Sequence, residues 1–146
     1  MENIFAPDYV ISAKSISIDT PTTYSSVLFT KNHLYVATLL PITADKPVLI
    51  NGMNAFEHFV KLMKEHTDPD TIHIEARNIA NNFEGHHIDL TQLKELVVKN
   101  GLLSRGMYIR ENIDTFKKYN RAITGGGKEL YAKLGDFYKD FKPMKW

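Results

Sequence analysis

A chain of 146 residues with no cysteine and a net charge of only +1 fits one ordinary domain. The missing cysteine excludes disulfides, thiolate metal sites and cysteine nucleophiles, while 43% apolar against 24% charged residues excludes wholesale disorder. No apolar run approaches the roughly 20 residues that a membrane-spanning helix needs. The opening MENIFAPDYV lacks a basic leader followed by an apolar stretch, so a cytoplasmic protein with no membrane partner is expected.

In chain order, DYVISAKSISID alternates at period two and is rich in β-branched residues, which predicts a half-buried strand. The alternation changes phase near Lys14, the mark of a bulge. DTPTT reads as a turn, because Pro21 cannot donate to a ladder. SSVLFT and HLYVATLLPI flank Lys31-Asn32 and predict a hairpin. KPVLI predicts a short further strand ended by Asn51-Gly52. Asn54 and Glu57 have capping-box spacing, and Phe56, Phe59, Val60 and Met63 recur at i, i+3, i+4 and i+7, so a first helix follows. TIHIEAR alternates Ile72, Ile74 and Ala76 against His73, Glu75 and Arg77 and predicts a strand. NIANNFEGHHI fits either a loop or an extension of the sheet.

From Asp89 onward the spacing predicts helices. Asp89 precedes LTQLKELVVKN, with Leu90, Leu93, Leu96 and Val97 in helical spacing and Gly101 as the stop. A second helix is expected from about Asn112 to Ile123, with Arg110, Asp114 and Lys118 spaced four apart. A third covers KELYAKLGDFYKDF, with Leu130, Leu134, Phe137, Tyr138 and Phe141 on one stripe before Pro143. The expected fold class is α+β: a mainly antiparallel N-terminal sheet with one inserted helix, then a three-helix C-terminal part, in a single domain over residues 1–146.

Charge divides unevenly along the chain. Residues 1–88 carry six basic and ten acidic side chains, a balance of −4, whereas residues 89–146 carry twelve and seven, a balance of +5. That asymmetry suits an anion or acidic partner at the C-terminal half. The candidate ligand residues are Arg105, Tyr108, Arg110, Arg121 and Lys128, with Asn82 and Phe83 adding an amide and a stacking face. Arginine supplies the planar fork that matches phosphate. The expected function is a non-enzymatic binding protein, of the inhibitor or sponge kind that phages make. Its ligand would be a phosphate-bearing, nucleotide-like small molecule or an acidic partner. The aromatic tail, Tyr131, Phe137, Tyr138, Phe141 and Trp146, also suggests a homo-oligomer.

Two other chemistries are written in the sequence. ELVVKNGLLSRGMYIRENI partly fits a helix-turn-helix, with Gly101 and Leu102 at the turn and Arg105 and Arg110 facing nucleic acid. His73, Glu75, His86 and His87 form an H-x-E and H-H set that would serve a metal-dependent hydrolase if they converged. No nucleophile elbow and no Ser-x-x-Lys is present, so no catalytic residue and no cofactor is expected. TGGGKE follows an expected helix and has Glu129 where a phosphate loop needs Ser or Thr. A hinge between helices is the favoured reading there, with anion binding at the helix start as a secondary role.

Overall fold

The computed structural model describes residues 2–17, 23–41, 46–111, 121–141 and 144–145. The described strands are β1 (Ile4–Phe5), β2 (Tyr9–Ser17), β3 (Thr23–Thr30), β4 (His33–Pro41), β5 (His86–Asp89), β6 (Leu93–Asn100), β7 (Arg105–Glu111), β8 (Arg121–Thr124) and β9 (Met144–Lys145). The described helices are α1 (Ala55–Glu65), α2 (Pro69–Asn82) and α3 (Lys128–Phe137), with a 3-10 turn at Leu90–Gln92. The strands form one path, β5-β4-β3-β2-β8-β7-β6-β9, with β1 also on β2. Every pairing is antiparallel except β6 with β9. Among the described residues, the ladder joins two antiparallel halves at the end of β2, where Ile16 pairs with Thr124 and Ser17 with Ile123.

Two cores hold these parts together. On one face of the first half, Ile11, Leu28, Tyr35, Ala37 and Leu39 pack against Phe56, Phe59 and Leu62 of α1 and Ala76 and Ala80 of α2. On the other face, Val10, Val27, Phe29, Leu34 and Val36 share a core with Leu96, Val98, Met107, Ile109 and Ile123 of the second half. Leu130, Tyr131, Leu134 and Tyr138 of the α3 region fill that same core. The sheet therefore curls over itself, with one face of α3 packed on the shared core and α1 and α2 on the other face of the first half.

The bulge expected near Lys14 is present, between Ser12 and Ser15. A bulge leaves ladder groups unpaired, and short side chains take them here. The Ser12 hydroxyl accepts from Val27 N–H at 2.9 Å, the Ser26 hydroxyl donates to the Ser12 carbonyl at 2.7 Å, and Asn3 Oδ1 accepts from Ala13 N–H at 2.8 Å. The Lys31-Asn32 hairpin also forms, as does the α1 capping box, with Glu57 N–H donating to Asn54 Oδ1 at 2.9 Å and Asn54 N–H to Glu57 Oε1 at 3.1 Å. The third expected helix is α3. The DTPTT turn lies largely outside the described residues.

The C-terminal three-helix part is corrected. LKELVVKN and RGMYIRE form the β6–β7 hairpin, RAIT forms β8, and residues 112–120 lie outside the described residues. Asp89 does cap a helical turn, its Oδ1 accepting from Thr91 N–H at 2.9 Å, but that turn is a single 3-10 one. Beyond it Leu96, Val97 and Val98 are buried in succession, on both faces of a strand, and such a run mimics helical spacing. The helix-turn-helix segment is thus this β-hairpin, with no recognition helix among its described residues.

TIHIEAR is corrected as well: it lies in α2, so two helices rather than one interrupt the first half. Asp68 accepts from Thr71 N–H at 3.0 Å and Pro69 opens the helix, so DPDT starts the element. Ile74, which a strand would bury beside Ile72 and Ala76, is 58% exposed, while Ala76 and Ala80 carry the packing face. KPVLI makes no strand. Val48 N–H reaches the Leu39 carbonyl at 3.0 Å, and Asn51 and Gly52, both at positive φ, turn the chain under a single Ile50–Met53 bridge. No helix among the described residues is long and apolar enough to cross a membrane.

Gly85 sets the closest approach in the fold. A Cβ there would stand 1.7 Å from the Val36 carbonyl oxygen, a backbone atom with no freedom to yield. Its own N–H closes α2 on the Ala80 carbonyl at 2.7 Å, so this one position brings α2, β5 and β4 together. Gly85→Ala is expected to lower stability by about 3 kcal/mol or more, read as a lower urea midpoint by circular dichroism. An unchanged midpoint would show that β5 is not held there.

Candidate functional site

Strand alternation puts His33 and Tyr35 on the helix-facing side of β4. The β5 register sets His87 beside Tyr35 and Asp89 beside His33 on that side, and sends His86 to the opposite face beside Val36. On α2, His73 and Arg77 stand one turn apart, next to the stripe that Ala76 and Ala80 press on the sheet. Three imidazoles and a phenol are thereby gathered from three elements.

The contacts are close. The Tyr35 hydroxyl lies 2.7 Å from His73 Nδ1. The His33 and His73 ring centres are 4.3 Å apart, and each lies 5.7 Å from His87. The Tyr35 and His87 rings stack at 6.1 Å and 22°. Tyr35 is 1% exposed, and burial raises its pKa well above the ordinary tyrosine value, so it stays a hydroxyl in hydrogen-bond contact with the ring of His73. Burial is likewise the first cause that lowers the pKa of His33 and of His87. Neighbouring His73 adds to this for His33, and Arg77 for His87, while Asp89 opposes both. The Asp89 carboxyl is held below its usual range chiefly by the Thr91 hydroxyl, at 2.6 Å. His33 Nδ1 is buried without a hydrogen-bond partner.

His33, Tyr35 and His73 form the floor of a cleft of about 530 Å³. Tyr9, Met63 and Ile72 line its walls, and Lys31, His66, Asp8 and Asp70 its margin. A larger depression, about 760 Å³, lies at the start of α3 between Lys14, Tyr24, Gly125, Gly126 and Glu129, but no comparable group of side chains meets there. The glycines themselves link strand β8 to α3, not two helices. All three have positive φ, and a Cβ on Gly126 would stand 2.8 Å from the Lys14 carbonyl oxygen. The Tyr131 hydroxyl donates to the Gly125 carbonyl at 2.5 Å. They form a tight turn sealed by α3.

The residues expected to bind an anion are dispersed. Register places Tyr108 and Arg110 on one face of β7, and Arg121, opposite Ile109, on the other, where it pairs with Glu111. Arg105 Nε donates to Asn100 Oδ1 at 2.9 Å across the hairpin. Lys128 is exposed in the first turn of α3, and Asn82 at the end of α2. Phe83 is 1% exposed and packs 5.3 Å from His58, which leaves no ring face for a base. None of the seven lines the His–Tyr cleft.

Of the expected metal set, His73 and His87 do meet, but Glu75 is exposed on α2 and His86 faces away. Among the described residues no group of three His, Asp or Glu is arranged to hold a metal ion. The members the sequence reading overlooked are His33 and Tyr35. Their signal was there: in HLYVATLLP they share one face of a strand that was itself expected. No protein family, curated protein or solved structure matches this chain.

The lowered pKa values carry a pH dependence whose sign is fixed. Unfolded histidine titrates near 6.5, above the folded values of His33 and His87, so the unfolded chain takes up protons first as pH falls. Stability is complete above about pH 6.5 and declines below it, until the folded rings also charge. The melting temperature is expected to drop between about pH 7.5 and pH 5.5, and His33→Gln to flatten that drop. Parallel melting curves for the two proteins across the window would contradict it.

Proposed function

We propose that this chain is a non-enzymatic binding protein for a small planar heteroaromatic ligand of the nucleobase or nucleoside class, seated in the His–Tyr cleft. One observation supports this reading above the others: three hydrogen-bonding rings, His33, His73 and Tyr35, meet in a cleft lined also by apolar and aromatic side chains. Its volume, about 530 Å³, lies in the range of ordinary ligand pockets. An imidazole kept neutral by burial, as His33 is, offers one donor and one acceptor, which suits the edge of a base.

The reading keeps the nucleotide-like class and moves its anchor from phosphate to base. At the margin, the Lys31 ammonium is engaged, donating to the Phe137 carbonyl and lying 3.7 Å over its ring. Asp8 and Asp70 stand on the same margin and disfavour a polyphosphate. Sequestration without turnover follows from such a site, in keeping with a sponge or inhibitor role.

A ligand at 100 times its dissociation constant stabilises the fold by about 2.7 kcal/mol. Scanning calorimetry with a panel of nucleobases and nucleosides is expected to show that stabilisation for at least one compound. Tyr35→Phe, which keeps the ring and removes the hydroxyl that orients His73, is expected to weaken binding roughly tenfold. Stabilisation by nucleoside triphosphates alone, with nucleosides inert, would sink the proposal.

A further inference from the structure

The turn of the β6–β7 hairpin holds two leucines with no cover at all. Leu102 and Leu103 are 100% and 103% exposed, the most exposed of the large apolar side chains among the described residues. A pair of adjacent leucines fully in water is a cost that folding leaves unrecovered. The turn is nevertheless well braced. Gly101 N–H donates to the Ser104 carbonyl at 2.9 Å, and Arg105 Nε donates to Asn100 Oδ1 at the same distance. The leucines are therefore presented by an ordered turn, and little entropy remains to be lost when they are buried.

Charge around the tip has one sign. From Val97 to Arg105 the chain carries Lys99 and Arg105 and no acidic residue, while Arg110, further down the hairpin, stands opposite Glu95. Lys99 is exposed and lies 5.4 Å over the ring of Tyr108, so a cation and an aromatic ring stand behind the leucines on the same hairpin. Asn100 and Ser104 flank the tip with short polar groups. Apolar at the point, polar and aromatic behind it and cationic at the base is the gradient of an anionic bilayer surface, from acyl chains through headgroups to the negative interface.

We propose that the Leu102–Leu103 tip inserts into the surface of an anionic phospholipid bilayer, with Lys99 and Arg105 held at the headgroups. Two side chains supply only a small part of the roughly 1,000 Å² that a specific protein interface buries, whereas a bilayer needs no matching shape. The contact is attachment to a surface, not a crossing. It uses no residue of the His–Tyr cleft, so the two proposals stand or fall separately.

Sedimentation with vesicles tests the idea on the whole chain. Vesicles of phosphatidylcholine mixed equally with phosphatidylglycerol are expected to bind the protein, and vesicles of phosphatidylcholine alone to leave it in solution. Added salt is expected to weaken the binding. The double variant Leu102→Ser/Leu103→Ser is expected to lower the bound fraction at least about tenfold while melting as the parent does, since both side chains are already in water. Lys99→Gln/Arg105→Gln is expected to remove the preference for the anionic lipid. Failure to bind the mixed vesicles, or binding that the double leucine variant leaves unchanged, overturns the proposal. So does self-association without lipid that the same variant abolishes, because the tip would then be a contact between copies of the chain.

Discussion

Strand β4 has no side open to solvent. From Leu34 to Leu39 six successive residues are buried, alternately beneath α1 and α2 and against the second half of the sheet. Covering a strand on both faces takes two layers, and a chain of this length supplies the second by curling its own sheet. The bulge in β2 and the short β2–β8 junction follow from that need. A bulge adds local twist, and Ser12, Ser26 and Asn3 take up the backbone groups it leaves unpaired.

The same constraint builds the site. Where the strands run deep beneath the helices, the helix-facing positions are apolar. Towards the His33 end of β4 the face becomes Tyr35, His33, His87 and Asp89, and α2 answers with His73 and Arg77. Partial burial strips water from these rings, which keeps His33 and His87 neutral near physiological pH and Tyr35 protonated. His33 and His87, which would repel each other if charged, are thus held as uncharged donors and acceptors. The price is sensitivity to acid, which belongs to the same geometry.

The hairpin tip shows the opposite arrangement. There an ordered turn holds apolar side chains out in water, with cations behind them. Cleft and tip sit on different parts of the curled sheet, one under the helices and the other at a free turn. The two features therefore share no residue.

Local signals were legible in the sequence by itself: the β2 bulge, the Lys31-Asn32 hairpin, the Asn54–Glu57 capping box and the apolar stripe of α3. Each is decided within a few residues, by alternation, turn chemistry or capping. The second half was not legible, because the middle of β6, Leu96 to Val98, is buried on both faces and such a run spaces its apolar residues much as a helix does. Alternation in TIHIEAR misled for the converse reason, since an exposed Ile74 lies on an otherwise ordinary helix. The candidate site was half legible: His73 and His87 stood out as residues, while their meeting with His33 and Tyr35 depends on the β4–β5 register and on the seat of α2. Sequence alone determined which segments carry turns, caps and charge. Which residues meet was left to tertiary structure, because pairing between distant strands and burial on two faces are properties of the packed sheet and not of any local window.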